Sequence, residues 1–270
     1  MTRSLLGRLA RLEARLRARR SQNQKTLQRL LAEPCQLMTC AGMSPDPWQE
    51  RVLCSSAKRL LLLCSRQSGK STIAGALALR SALLRPRSPV LLLSPSLRQS
   101  SELFRKIRDL FQAVGRPMGV VAESALRLEF ANGSRIIALP GDEKNVRCFS
   151  GVTVLIIDEA ARVEDALYCS VRPMLAVSGG QLVALSTPFG KRGWFHDEWH
   201  GSADWERVCV TAPDCPRIPQ SFLEEERIAL GERWFRQEYL CSFEDAIGAV
   251  FNSEDILAAF DENLQPLNLE

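Results

Sequence analysis

A chain of 270 residues, 46% apolar and 24% charged, is long enough for one large domain or two small ones and too apolar to be mainly disordered. Its net charge of +4 is too small to imply a nucleic-acid partner by itself, and no stretch nears the roughly 18 apolar residues of a membrane span. The nine cysteines are odd in number and form no C-x-x-C, which fits reduced thiols in a cytoplasm better than a disulfide framework or a zinc ribbon.

The charge is unevenly placed. Residues 1–20, MTRSLLGRLARLEARLRARR, carry seven Arg against one Glu, so about +6 lies in one arm and the rest is close to neutral. Leu5, Leu9, Leu12 and Leu16 recur at i, i+4, i+7 and i+11, which predicts an amphipathic helix. Such a helix packs on its own domain or a partner helix, or serves as a basic arm for nucleic acid or an acidic partner. The Arg-rich, acid-poor start also has the character of a transit peptide, while its arginines interrupt any secretory apolar core. Residues 1–44 are set apart as this arm, with a polar stretch after the helix.

From Pro45 the pattern changes. SPDPWQERVL turns at Pro45 and Pro47 into a helix, and Leu60–Leu63 is a short apolar strand. VLLLSP at 90–95 is the next strand, LRQSSELFRKIRDLFQAV an amphipathic helix, and ALRLEFANGSRIIALPG a hairpin turning at Asn132-Gly133. VTVLIIDEA and QLVALSTP are further strands. Continuous apolar runs alternating with helices predict an α/β domain with a mostly parallel sheet covered on both faces. Beyond Gly193 the strand pattern fades, and SFLEEERIALGERWFRQEYLCSF reads as one or two short helices. The expected organisation is an arm at 1–44, an α/β core at 45–192, a small lid at 193–246 and a tail at 247–270.

Within that core, LLLCSRQSGKST (61–72) nearly matches the phosphate-binding loop G-x-x-x-x-G-K-[ST]. A strand enters a tight turn and then a helix, so backbone N–H groups of Ser65, Arg66, Gln67, Ser68 and Gly69 and the helix start at Lys70, Ser71 and Thr72 can face phosphate oxygens. Cys64 stands where the first glycine belongs, which a negative φ would tolerate. VLIIDEA ends a strand on Asp158-Glu159: Asp158 suits the Mg²⁺ shell and Glu159 a general base for the attacking water. Ser186-Thr187-Pro188 closes a third strand, where hydroxyls can sense a γ-phosphate.

These pieces, in this order, resemble the ATPase domain of the large terminase subunit, the DNA-packaging motor of tailed bacteriophages. The matching stretches are PDPWQERVL, CSRQSGKST, ALPGDEKNVRCFSGVTVLIIDEAARV, LVALSTPFGKRGWF and DCPRIPQSFLEEERIALGERWFRQEYLCSFED, together spanning 45–245. The resemblance implies an additional-strand, RecA-like P-loop NTPase that uses ATP and Mg²⁺. It implies a deviant phosphate loop of the R-x-x-G-K-S kind at Arg66–Ser71, with Lys70 and Ser71 on phosphate and Mg²⁺. Asp158 becomes the Walker B aspartate and Glu159 the catalytic base. Gln49 resembles the adenine-reading glutamine, Ser186-Thr187-Pro188 the coupling motif, and Arg66 and Arg147 the candidate transition-state arginines. Implied partners are duplex DNA held through its phosphates, the portal protein, the small terminase subunit and further copies in a ring, in the host cytoplasm at a procapsid. Family members usually continue into a nuclease with clustered carboxylates; this sequence stops at Glu270, so no DNA cleavage is expected of it.

Rival readings are weaker. HDEWH puts His196 and His200 at i, i+4 like the zinc helix H-E-x-x-H, but Asp197 replaces its glutamate. A GTPase would carry N-K-x-D, a two-domain helicase more chain, and a small-molecule kinase would seldom end this strand in Asp-Glu. Another P-loop translocase, or a DNA- or partner-binding module with a degenerate nucleotide site, remains the alternative.

Overall fold

The computed structural model describes residues 2–140, 149–245 and 259. One eight-stranded sheet organises it, in the order β3-β4-β5-β2-β6-β7-β1-β8. The strands are β1 (Arg59–Cys64), β2 (Pro89–Ser94), β3 (Val120–Glu123), β4 (Arg127–Phe130), β5 (Arg135–Pro140), β6 (Val154–Asp158), β7 (Gln181–Ser186) and β8 (Glu206–Val210). From β5 to β8 every neighbouring pair is parallel; β3 and β4 form an antiparallel edge.

The apolar runs are continuous because the central strands are covered on both sides. In β1, Leu60, Leu62 and Cys64 enter one core with Ile73, Leu103 and Phe104, while Leu61 and Leu63 enter the other with Leu167, Trp194 and Phe195. The first core is roofed by α4 (Lys70–Leu84) and α5 (Leu97–Ala113), the second by α6 (Asp165–Val171) and α7 (Gly193–His200). The predicted hairpin is present: β4 and β5 pair antiparallel across Asn132-Gly133, with Gly133 at φ +80°.

Two sequence expectations are corrected. The polar-looking stretch before residue 44 contains the second half of α1 (Thr2–Ala32) and a short α2 (Gln36–Cys40). Leu30, Leu37 and Met38 there are 0–2% exposed in the first core. Leu27, Cys35, Ala41 and Met43 pack partly buried against the same core, but they are spread over the end of α1 and the turns around α2 rather than at one period. The strand pattern also does not end at Gly193, since ERVCV forms β8 along β1. As an edge strand it buries only Val208 and Val210, so its apolar signal is thin.

The first half of α1 behaves differently. Residues 8 and 10–20 are exposed, with Leu12 at 55% and Leu16 at 57%, so this part of the leucine stripe is not packed on the chain's own core. At the other end, α8 (Gln220–Leu230) and α9 (Glu232–Tyr239), parted at Gly231, enclose a small cluster of Ala212, Leu223, Phe235 and Tyr239. Of the segment 193–246 expected as a lid, α7 and β8 thus join the main core and sheet, and only this cluster is its own.

Candidate functional site

The site forms where three neighbouring parallel strands end together. β7 lies between β1 and β6, with Leu63 beside Ser186 and Leu185 beside Asp158. The phosphate loop, the Ser186-Thr187-Pro188 turn and the Asp158-Glu159 pair therefore leave the same edge of the sheet, where ligands of open α/β sheets bind.

Cys64 answers for the missing glycine by being an ordinary strand residue. It is 0% exposed, is not among the residues with positive φ, and burial pushes its thiol up to about 12. The loop turns further on. Gln67 has φ +59° and Gly69 φ +94°; a Cβ on Gly69 would stand 2.7 Å from Gln49 Nε2. Ser68 Oγ donates to the Ser65 carbonyl at 2.9 Å, and the Ser65 and Arg66 N–H groups donate to the carbonyls of Val210 and Glu238. These two N–H groups, expected to face phosphate, are instead taken by β8 and α9, because the start of the loop is anchored to both elements.

Gln49, in α3 (Pro47–Cys54), is 1% exposed beneath the loop. Its Oε1 accepts the Asp46 N–H at 2.9 Å, and Gln49 is not among the residues lining the cavity above the loop. Asp46 pairs with Arg217 at 2.6 Å, and Arg217 also donates to the Ser68 carbonyl.

Above the loop opens a polar cavity of about 480 Å³. Of the predicted residues, Arg66, Gln67, Gly69, Lys70, Ser71, Thr72, Glu159 and Thr187 line it. Gln99 and Lys106 of α5 line it too, and sequence reasoning missed both, because nothing in an amphipathic helix marks the polar positions that face a site. Asp158 is 5% exposed and accepts the Glu159 N–H at 3.1 Å; burial, then the Glu159 charge, push its carboxyl up to about 6. Ser186 is fully buried and its hydroxyl accepts the Ala161 N–H, while Thr187 is 2% exposed and Pro188 is buried. Ser65 and Ser68 are buried in the loop. Arg147 lies outside the described residues.

Glu159 is held in the left-handed region, φ +52° and ψ 43°, an uncommon conformation for a residue with a long side chain. One carboxylate oxygen meets Lys70 Nζ at 3.2 Å and the other meets Arg162 Nη1 at 3.1 Å. Arg66 bonds Glu238 of α9 at 2.5 Å, and Glu238 lies 4.0 Å from Arg162. Arg162 and Glu238 were not predicted. The signal for Arg162 was its place three residues after Glu159; Glu238 had none, being brought in from a distant helix. The His196 and His200 rings lie 4.4 Å apart, tilted by 44°, and each meets Phe243 edge to face, and no group of three metal-ligating side chains occurs among the described residues.

The arrangement offers loop N–H groups, a lysine and a helix start for phosphates, hard oxygen donors for a divalent cation, and a carboxylate for a water. Residues 61–258 match the family model described as terminase large subunit, T4likevirus-type, N-terminal. The large terminase subunit of Escherichia phage T5 is 29% identical over 204 residues, covering 72% of this chain and 46% of that protein. Among solved structures, the large terminase ATPase domain of Thermus phage P74-26 superposes with a TM-score of 0.68 at 22% identity, covering 76% of this chain and 96% of that one. The large terminase of another thermophilic bacteriophage, in complex with ATP-gamma-S, superposes with a TM-score of 0.59 at 14% identity, over 73% of this chain and 52% of that one. The chain thus spans about half the length of the T5 relative.

Proposed function

The chain belongs to the terminase large subunit family, and from that premise we propose that it is an ATP-hydrolysing motor domain that drives double-stranded DNA into a viral procapsid. The observation that carries this reading is the shared strand edge: the loop of Lys70, Glu159 and Thr187 line one polar cavity, and Asp158 is buried at the end of the strand that carries Glu159. The ATP-gamma-S bound to a large terminase of similar fold supports nucleotide as the ligand.

On binding, the phosphates replace Glu159 as partner of Lys70, and the N–H groups at the start of α4 face them. Ser71 and Asp158 fit Mg²⁺, being hard oxygen donors. A buried carboxylate raised to about 6 by desolvation is also the state that an added cation relieves. When bound, the cation offsets charge on the phosphate oxygens. Glu159 accepts a proton from water. The water oxygen bonds to the γ-phosphorus while the bond to the β–γ bridging oxygen breaks, leaving ADP and phosphate. Arg66 is close enough to its own loop to serve the same nucleotide. Arg147 is the proposed cation offered to a neighbouring copy in a ring; Arg147→Ala mixed with Glu159→Gln should then regain part of the activity each lacks alone.

DNA would be held through its phosphates without reading sequence. Portal protein, the small terminase subunit and a cytoplasmic site of assembly are the corresponding proposed partners and setting. The test is Glu159→Gln: ATP affinity stays near wild type while hydrolysis falls by about 10²-fold or more, the scale of losing a positioned base. Wild-type turnover by this variant would remove Glu159 from the reaction, whereas no ATP hydrolysis by the wild-type chain itself would favour a nucleotide-dependent binding module.

A further inference from the structure

Arg162 closes a short 3₁₀ turn, Ala160–Arg162, that brings its guanidinium back to Glu159. Nη1 sits 3.1 Å from Glu159 Oε2 and 3.2 Å from Thr187 Oγ1. Nη2 faces Glu238 at 4.0 Å, and the guanidinium lies over the Phe189 ring at 4.7 Å. One half-buried side chain therefore touches the base, the coupling turn and the lid helix together.

We propose that Arg162 is the positioning residue that sets the direction of the Glu159 carboxylate and links it to the Thr187–Phe189 turn. This rests on the ATPase reading above. The argument begins with the two oxygens of Glu159, one on Lys70 and one on Arg162. Lys70 is also the cation that a phosphate loop directs at its ligand. Once nucleotide takes Lys70, Oε1 is released for water and Arg162 alone holds Oε2. The direction of the released oxygen then depends on the guanidinium.

A guanidinium is a planar fork with donors at fixed angles, so it cannot follow a turning carboxylate as a lysine would. A swing of Glu159 therefore shifts Arg162 against the Thr187 hydroxyl and the Phe189 ring. Phe189 in turn lines a separate cavity of about 300 Å³ with Arg192, Trp234 and Glu244, between the turn after β7 and α9. The state of the base reaches the lid through contiguous contacts, with Glu238 as the second connection. The plain alternative is an i, i+3 ion pair that only staples the turn.

A double-mutant cycle on the intact chain separates the two. Steady-state ATP hydrolysis, binding of a non-hydrolysable ATP analogue and thermal unfolding are measured for wild type, Arg162→Ala, Glu159→Gln and the double variant. Arg162→Ala should lower kcat by about 10- to 100-fold, the scale of misplacing a catalytic group, with KM and analogue affinity within about threefold of wild type. In the Glu159→Gln background the same change should cost less than about twofold, because a residue acting through the base has nothing left to position. Arg162→Lys keeps the charge, loses the fork, and should fall between; it also carries the test if Arg162→Ala does not fold. Wild-type kcat in Arg162→Ala, or losses that multiply in the double variant, would overturn the inference. Absence of ATP hydrolysis by the wild-type chain would instead sink the ATPase reading itself.

Discussion

The cations around the phosphate loop and those of the first half of α1 are used in opposite ways. Lys70, Arg162, Arg66 and Arg217 each meet a carboxylate at 2.5–3.2 Å, and those carboxylates are largely buried. In α1, Arg8, Arg11, Arg15, Arg19 and Arg20 are exposed with no ion pair to a described residue, and Arg17 reaches Glu13 only at 3.8 Å with both side chains mostly in solvent. A half-buried pair is costly to break, because the partner is left charged in a poorly solvated place. An exposed one is screened and worth little to the fold. These ion pairs, a ring of charges around the phosphate loop, therefore hold side chains in place at the site, while the α1 arginines leave their charge free for something outside the chain.

The largest effect should come from breaking the ring at its centre. Lys70→Ala removes the cation of the phosphates and leaves Glu159 facing the cavity with Arg162 alone. ATP affinity should fall by about 10- to 100-fold, the worth of a charge-assisted contact, and hydrolysis should drop below detection. Titration calorimetry with an ATP analogue measures the first. Unchanged affinity would mean that the cavity is not where nucleotide binds.

The same contrast explains what could be read in advance. β1, β2, β6 and β7 were legible because burial on both faces writes them as unbroken apolar runs, and Lys70, Ser71, Asp158 and Glu159 because their chemistry needs fixed spacing at strand ends. Gln49, Ser65, Ser68 and Thr187 were named, but only coordinates reveal that Gln49 packs under Gly69. Glu238, Arg217, Gln99 and Lys106 were illegible: each reaches the site from a helix or loop with its own reason to be polar. β8 and α2 were missed because an edge strand and a short docked helix need few apolar residues. Whether α1 packs at all was undecidable from its period, since an amphipathic stripe looks the same facing a core or facing solvent.

That last ambiguity gives the next test, at the level of stability. Leu30 is fully buried in the second half of α1, so Leu30→Ala should cost about 2–5 kcal/mol. Leu12, 55% exposed in the first half, should cost less than about 0.5 kcal/mol on the same change. Denaturant unfolding compares the two. Equal losses would mean that the first half is packed after all.

A smaller, graded effect is expected from Asp158. Its folded value of about 6 lies above the 3.8 of an exposed aspartate, so ionising it costs the fold. Without nucleotide, the contribution of Asp158 to stability should be fully present below about pH 4 and lost as pH rises through about 6, so the difference in stability between wild type and Asp158→Asn should change over that window. Mg²⁺-nucleotide affinity should run the other way, because only the ionised carboxylate serves the cation, and rise by up to about tenfold per pH unit below about pH 6. Asp158→Asn should flatten both trends. A surviving pH dependence in that variant would assign it to another group.

The smallest effect on the ring, and the sharpest on the contrast, comes from neutralising α1. Arg8, Arg11, Arg15 and Arg19 recur at i, i+3, i+7 and i+11, so they share one helix face about 16 Å long, from a rise of about 1.5 Å per residue. That face is beside the one bearing Leu12 and Leu16. Replacing all four by Gln should leave the unfolding midpoint and DNA-free ATP hydrolysis as in wild type, because none of the four pairs with a described residue. If this face meets DNA phosphates, each arginine accounts for about 0.9 in the slope of log affinity against log salt, so the slope should flatten by about 3 to 4. Fluorescence anisotropy on a short duplex at several salt concentrations reads it directly. An unchanged slope with unchanged affinity would leave α1 free for a protein partner and move the DNA contact elsewhere. A loss of DNA-free hydrolysis would erase the separation between the two regions, because exposed charge at the far end of a helix would then be acting on the ring.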